Sequence, residues 1–417
     1  MINMPSVQNT KRIQNWIQWY NNSFKNNYYY HELSRTTEGS KFHRESSVAI
    51  HTDMVVMNIL RLEGLDAKLT TEFSRITGLF AAAFHDVGKS SSMQAKHSDE
   101  RGDYLSFAGH EQRSARLWED FYMQGPEATG ITEELFGSDY VDNTAFMFAV
   151  GYMIEHHRPW GLKDTNKIDG MLLTLNSMGV IQDYFRLLIA DNLGRITDDQ
   201  QNLVESLKKV DVFESKYNEL MKVYFPPEPK EESTLGLLSY ILADKMGSLP
   251  PKVIERKLPS VIIPIAPSGA GKSTLFKKLI AESSEEILHH SMDDIRIETY
   301  GDDYAEAFER SKNDSNFASI VQADFIKKIK TGKSIYIDNT NLSRKRRRFY
   351  VDQANRNDYN VVAYLIPTTI KTLLERQKSR PDKFVPYKSV MQQYVSLSLP
   401  TLGLEFDEII ITDEIIN

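Results

Sequence analysis

The chain has 417 residues with no cysteine, 41% hydrophobic and 26% charged content, and a net charge of −7. That length accommodates two or three domains with their own cores, and the missing thiols exclude disulfides, cysteine zinc sites and thiol catalysis. No apolar run approaches the roughly eighteen residues of a membrane span, and the N-terminal MINMPSVQNTKRIQNW lacks the layout of a secretory signal, so a cytoplasmic protein with no membrane attachment is expected. Residues 261–417 are balanced in charge, and the whole excess of acid lies in the first 260. A nucleic-acid partner would therefore be held by local basic clusters and not by a global field.

In chain order, residues 1–30 are rich in Asn, Gln and aromatics and belong to an N-terminal cap, 1–43. Tyr28, Tyr29 and Tyr30 either pack on the first domain or offer a surface that stacks on bases. From about 44 to 225, apolar residues recur three and four apart, as in Val55, Val56, Ile59 and Leu60 or Phe185, Leu188 and Ile189. That period predicts an all-helical first domain, 1–225. Phe225-Pro-Pro-Glu-Pro229 ends the pattern and opens a linker, 226–259, with a short helix near 233–246. Beyond it, β-branched runs (Val261–Ile265, Ile287–His289, Ile335–Ile337, Val361–Ile366, Ile409–Ile411) alternate with helix-length polar segments. The alternation predicts an α/β domain over 260–417 with a parallel sheet.

Within the helical region stands an ordered set: His51, His85-Asp86, His110, His156-His157 and Asp191. A single histidine is ordinarily a packed core or surface residue. Imidazoles and carboxylates on separate helices can converge on a metal inside a bundle, and a metal lowers the pKa of bound water enough for attack on phosphorus. Lys89 and Arg158 are cations suited to a substrate phosphate. The stretches Phe84-His-Asp-Val-Gly-Lys89, Ala108-Gly-His-Glu111, Glu155-His-His-Arg-Pro159 and Ala190-Asp-Asn-Leu-Gly-Arg195 resemble the HD superfamily of phosphohydrolases over residues 44–200. They are similar to the HD domains of bacterial tRNA CCA-adding enzymes, which act on 2′,3′-cyclic, 2′ and 3′ phosphates. The resemblance implies one metal on His51, His85, Asp86 and Asp191. It implies a second on His110 and one or both of His156 and His157, with Asp86 bridging. His43 competes with His51, which is preferred because it starts the apolar-periodic helix from Met54 to Leu60. The metal would be a divalent transition ion such as Mn²⁺, Ni²⁺, Co²⁺ or Zn²⁺, with Lys89 catalytic and Arg158 binding substrate.

In the α/β region, Ala266-Pro-Ser-Gly-Ala-Gly-Lys272-Ser273-Thr274 follows one apolar run and opens a helix. Strand, glycine-rich turn and helix make a phosphate cradle, because small residues let backbone N–H groups and a helix N-terminus approach the anion. Ser268, Gly269, Ala270, Gly271 and Thr274 line it, Lys272 reaches the β and γ phosphates of ATP, and Ser273 holds Mg²⁺. Ala266 stands where the motif usually has its first glycine. Asp293-Asp294-Ile-Arg296 and Asp338-Asn-Thr-Asn-Leu342 follow later apolar runs, at strand ends that face a ligand crevice. Arg376 and Arg380 lie four apart, on one helix face, where they could fold over the polyphosphate.

Together these elements resemble the P-loop polynucleotide 5′-kinases over residues 260–400. The resemblance implies Asp293 as general base on a 5′-hydroxyl and Arg296 on the acceptor's phosphate. Asp338 would support the donor site, with Arg376, Arg380, Val385 and Pro386 as the lid pattern. The run Arg344-Lys-Arg-Arg-Arg348 is either a solvated face or a contact to the strand backbone. The two regions in this order resemble the bifunctional HD-Pnk end-healing proteins. The activities implied are removal of a 2′,3′-cyclic, 2′ or 3′ phosphate and ATP-dependent phosphorylation of a 5′-hydroxyl, on RNA or DNA ends later joined by a separate ligase. Two other readings stay open: a nucleoside or metabolite kinase fused to a nucleotide phosphohydrolase, and a non-catalytic ATP sensor.

Overall fold

Apolar positions spaced three and four apart give each N-terminal helix a buried stripe, and among the described residues nine such helices of eight residues or more stack into one unit. The computed structural model describes residues 10–37, 44–62, 71–98, 102–161, 165–197, 199–224, 259–301, 303–379, 385–401 and 405–412. His43, Arg380 and the expected linker helix near 233–246 lie outside the described residues. The chain divides into two compact units, Met1–Asp244 and Lys245–Asn417, and among the described residues no helix is long and apolar enough to cross a membrane.

In the first unit the helix Glu72–Phe84 is the hub. From Ile76 to Phe84 it is buried on every side, and Ala81, Ala82 and Ala83 let its neighbours approach closely. The aromatic segment at the chain's start packs here. Trp16, Trp19, Tyr20 and Phe24 are buried, with Trp19 4.7 Å from the ring of Phe80 and Phe24 4.8 Å from Phe84. Asp53 collects the hydroxyls of Tyr20 and Tyr30 and the ammonium of Lys25, at 2.8, 3.0 and 2.8 Å. Only Tyr28 of the tyrosine triplet is largely exposed. The unit is not all helix: β1 (Gln94–Ser98) and β2 (Gly102–Ser106) form an antiparallel hairpin. Its strands are polar and partly exposed, so no apolar alternation announced it.

In the second unit β3 (Ser260–Ile265), β4 (Ile287–His290), β5 (Ser334–Ile337), β6 (Asn360–Leu365) and β7 (Glu408–Ile411) form a sheet. The order is β4-β5-β3-β6-β7 and every pairing is parallel. Apolar side chains cover both faces of the middle strands, as a parallel sheet requires. The connections after β3 first run to one side and then return to the other, so the order reverses beside β3. A ligand crevice is expected at the carboxyl end there. Within the run Arg344–Arg348, Lys345, Arg346 and Arg348 are exposed but Arg347 is core. Arg347 grips Glu405 through two bonds of 2.6 and 3.1 Å and donates to the carbonyls of Asn341, Leu342 and Ser398.

A second set of buried charges sits in the first unit. Arg116 lies 2.9 Å from Glu119 and 3.5 Å from Glu155. Burial pushes the Glu119 carboxyl up to about 7, against the pull of Arg116 and with help from Glu155. Above its ordinary value of 4.5 the unfolded chain releases a proton that the folded chain keeps. Stability therefore falls as pH rises through that window. Urea melts should give Glu119→Gln an advantage over the parent that grows by roughly 2–3 kcal/mol between about pH 5 and about pH 8; an unchanging difference would contradict the assignment.

Candidate functional site

Five helices bring six metal-type ligands into the interior of the first unit. His51 lies on Val48–Leu62, His85 caps Glu72–Phe84 and Asp86 follows it. His110 opens His110–Tyr122, His157 follows Thr144–Glu155, and Asp191 lies on Ile181–Leu193. They form two groups, His51, His85 and Asp191, and Asp86, His110 and His157, with the ligand atoms of each group within 4.8 Å of one another. Gly88 permits this: a Cβ there would stand 2.6 Å from the carbonyl of His110 and 2.7 Å from the N–H of Ser114, so the turn carrying Asp86 lies directly on the start of the His110 helix.

The imidazoles are oriented. Each Nδ1 faces a backbone carbonyl: His51 to Gly194 at 3.0 Å, His85 to Ala82 at 2.8 Å, His110 to Phe107 at 2.8 Å and His157 to Ile154 at 2.7 Å. A carbonyl only accepts, so each Nδ1 is placed to donate and each ring turns its Nε2 inward, that of His51 to 3.0 Å from Asp191 Oδ1. His51 Nε2 and His85 Nε2 stand 3.3 Å apart, and two lone pairs at that distance repel unless a cation or a proton lies between them. Asp86 Oδ1 and His110 Nε2 are 3.2 Å apart, buried, and not aligned as a hydrogen bond. The unpartnered Asp86 Oδ1 and His110 Nε2 fit a divalent cation in the second group, and the facing Nε2 atoms of His51 and His85 fit one in the first.

Burial opposes ionisation of Asp86, but His85 and Lys89 outweigh it and hold its carboxyl well below the usual range. Asp191 is likewise lowered, because Arg195 and His51 overcome the burial cost. Burial, then His85 and His110, keep His157 well below the ordinary histidine value and hence neutral. Burial works against protonation of His85 too, but Asp86 and Asp191 prevail and raise it.

Of the expected residues, Lys89 is buried with its ammonium 2.8 Å from Asp86 Oδ2, while Arg158 is exposed. The two candidate histidines separate. His157 enters the cluster, and His156 stays outside it with its ring stacked 4.2 Å from Tyr152. The helix ends at Glu155, and the two side chains leave in different directions. Arg195 and Glu45, the latter buried and 3.6 Å from His51 Nδ1, were not singled out from sequence.

In the second unit the loop 266–271 joins β3 to the helix Lys272–Glu282. Gly269 and Gly271 have φ of +92° and +105°, whereas Ala266 is not among the positive-φ residues. A Cβ is therefore compatible with the backbone at Ala266 and not at the two glycines. Lys272 Nζ lies 2.8 Å from the carbonyl of Pro267 and 3.3 Å from that of Ala266. Ser273 donates to Asp338 Oδ2 at 2.9 Å; burial raises the Asp338 pKa, but His289 and Lys272 bring it below the usual value. Asn341, at φ +48°, donates its amide to Pro264, Ile337 and Asn339 and fixes the end of β5 to β3.

Asp293 lies in the first turn of the helix Met292–Tyr300, and its Oδ1 accepts from Arg296 at 2.5 Å and Tyr304 at 3.1 Å. Arg296 is buried near Phe308 and Phe317 and also donates to Ser311 at 2.7 Å. Arg376 donates to the carbonyl of Gly269 at 3.2 Å. Two glutamines went unnoticed in the sequence. Gln377 donates to the carbonyl of Ser268, and Gln393 accepts from its N–H. The closeness of Gln377 to Gly269, 2.6 Å from where a Cβ would be, was encoded only in the need for glycine there.

An AAA domain family model matches residues 261–400. Over 151 residues the chain is 28% identical to a protein of the Autographa californica nuclear polyhedrosis virus described as a bifunctional polynucleotide kinase/RNA ligase, covering 33% of this chain and 21% of that one. The chain thus spans about a fifth of that relative's length. Among solved structures, a chain of the Pnkp1/Rnl/Hen1 RNA repair complex is 21% identical over 35% of this chain and 46% of its own, with a TM-score of 0.29. A gluconokinase from Sinorhizobium meliloti 1021 is 16% identical over 37% and 83%, with a TM-score of 0.26.

Metal content gives the test of the histidine cluster. After loading with Mn²⁺ and gel filtration, His157→Ala should retain less metal than the parent, since the second group loses one of its three ligands. His156→Ala should retain as much. Equal retention by all three proteins would show that Nε2 of His157 holds nothing. The C-terminal unit is a P-loop domain of kinase type with homology to a polynucleotide kinase/RNA ligase.

Proposed function

We propose that the chain heals broken RNA ends, phosphorylating a 5′-hydroxyl in its C-terminal unit and removing a 2′,3′-cyclic, 2′ or 3′ phosphate in an N-terminal HD-type unit. One observation carries the reading: a kinase domain homologous to a polynucleotide kinase/RNA ligase shares its chain with six buried metal-type ligands grouped around Asp86. A kinase alone treats one end of a break. The second site supplies what the other end needs.

In the kinase unit the loop amides cradle the phosphates of ATP, and Lys272 leaves its loop carbonyls for the β and γ oxygens. Mg²⁺, placed by Ser273 with Asp338 behind it, would neutralise charge on the donor. Asp293 accepts the proton of the attacking 5′-hydroxyl. Arg296, which donates to Asp293 Oδ1, aims that carboxylate, and its guanidinium faces the acceptor's phosphate. Arg376, which lies against the loop, and Arg380 offset charge on the transferred group.

In the N-terminal unit, His51, His85, Asp86 and Asp191 would hold one divalent transition metal, and Asp86, His110 and His157 a second. Such an ion supplies a water of lowered pKa and polarises the phosphoryl oxygen. The chain's own part is to aim four Nε2 atoms inward through their carbonyl partners and to present cations. Lys89 and Arg158 would bind the terminal phosphate. The products, a 5′-phosphate and a 2′,3′-diol, are the substrates of a separate ligase; the printed description of the viral relative names a kinase and a ligase together.

The test uses an RNA oligonucleotide with a 5′-hydroxyl and a 2′,3′-cyclic phosphate, incubated with ATP, Mg²⁺ and Mn²⁺, and both ends are analysed. Lys272→Ala and Asp293→Ala should each lower 5′ phosphorylation by about 10²-fold or more and leave the 3′ end chemistry intact. Asp86→Ala should do the reverse. Variants that remain folded yet lose both activities together would refute the two-site reading, and a parent that accepts only free nucleosides would refute the polynucleotide substrate.

A further inference from the structure

The carboxyl end of β4 carries two adjacent histidines, His289 and His290, to which the chemistry above assigns nothing. Successive side chains of a strand point to opposite faces, so the pair reaches different partners. His289 places Nδ1 3.1 Å from Asp294 Oδ2 and Nε2 3.2 Å from Asp338 Oδ2. Its ring is held by stacking on Phe276, 4.3 Å between centroids at an interplanar angle of 19°. The oxygen it meets on Asp338 is the one that accepts from Ser273.

His290 is buried and belongs to a second chain of contacts. Asn339 donates to the Tyr350 hydroxyl at 3.2 Å, which lies 3.3 Å from His290 Nε2, and His290 Nδ1 lies 2.7 Å from Asp324. The other end of the Asn339 amide accepts from the N–H of Met292 at 3.1 Å. Both chains thus start on neighbouring residues of β4 and reach the neighbours Asp338 and Asn339. Between them they hold the first turn of the helix that bears Asp293. Ser291, the helix's own cap, adds one bond to the N–H of Asp294 at 3.2 Å.

We infer that His289 is a positioning residue of the kinase site: by bridging Asp294 to Asp338 it sets the separation between the acceptor carboxylate Asp293 and the phosphate loop. The inference rests on the kinase reading and names the residue that makes donor and acceptor pockets one geometry. Phosphoryl transfer depends on such alignment, and a misplacement of about 1 Å can cost on the order of 10²-fold in rate. His289 is 30% exposed on its side chain, so removing it opens the crevice side and not the core.

The experiment is a double-mutant cycle on the full chain, with a 5′-hydroxyl oligonucleotide, ATP and Mg²⁺, each variant first checked by thermal melt. His289→Ala and Asp294→Ala should each lower kcat about tenfold, with KM for ATP and oligonucleotide changed less than about threefold. The double variant should be no slower than the worse single, because both remove one bridge. His289→Gln, which retains a donor toward Asp338, should recover part of the rate; it replaces His289→Ala in the cycle if the alanine variant does not fold. Unchanged kcat in the His289 variant, or losses that multiply in the double, would overturn the inference while the parent's activity upheld the kinase reading. A parent that phosphorylates only a small hydroxyl acceptor overturns the polynucleotide substrate, and the cycle is then run on that acceptor. A parent that phosphorylates no hydroxyl overturns both.

Discussion

The carboxylate of Asp86 is the point on which the N-terminal unit turns. It is almost fully buried and stands 2.8 Å from Lys89, 3.2 Å from His85, 3.2 Å from His110, 3.6 Å from His51 and 3.8 Å from His157. A buried charge is tolerable only when paired and hydrogen-bonded, so four helices must keep their ends near this residue for the fold to close at all. The small residues Ala81 to Ala83 and Gly88 are where that closeness is obtained. Packing and chemistry here are one requirement met twice.

Helix ends solve a second problem at the same place. The last carbonyls of a helix have no partner within it. Ala82 and Ile154 lie in the last turns of their helices and Gly194 caps a third, and each of these carbonyls receives an imidazole Nδ1. One contact satisfies a backbone acceptor, selects the tautomer and aims Nε2 inward. The C-terminal unit follows another logic. There the candidate ligand groups are loop amides and strand-end acids, at the carboxyl end of the sheet where the reversal of strand order beside β3 leads one to expect a crevice.

Much of this was legible because some contacts are dictated by the backbone. A phosphate cradle needs small residues in a fixed run, and Gly269 and Gly271 prove to hold φ values closed to other side chains. The five strands were legible because buried parallel strands are short β-branched runs. The histidines could be read only as an ordered set, since nothing local distinguishes His156 from His157. That choice is made by where the helix ends and by Tyr152, which takes the His156 ring. Arg347 looked like its neighbours in a basic run, yet a helix turns residues 100° apart, and this one is buried against Glu405 at 2.6 Å while Arg344 stands 3.6 Å from it. The β1–β2 hairpin has no apolar face to announce it. Gln377, Gln393 and His289 owe their places to elements far away in sequence, which periodicity does not reach.

The two candidate sites differ in how much of their order is built in. The side chains of the Asp86 cluster are between 0% and 5% exposed, and their outer nitrogens are already bonded. Asp293 and Asp294 are 40% and 58% exposed, and Lys272 rests on the carbonyls of its own loop. A cluster that must hold a small, highly charged ion gains from rigidity, because mutual repulsion of its lone pairs is offset only where the ion sits. On the proposed reading, a transferase has to admit two substrates and close on both, so its cations would rest on groups they can leave. The contacts of His289 with Asp338 and of Asn339 with Met292 would then hold the helix that bears Asp293 in register while the loop cations stay exchangeable.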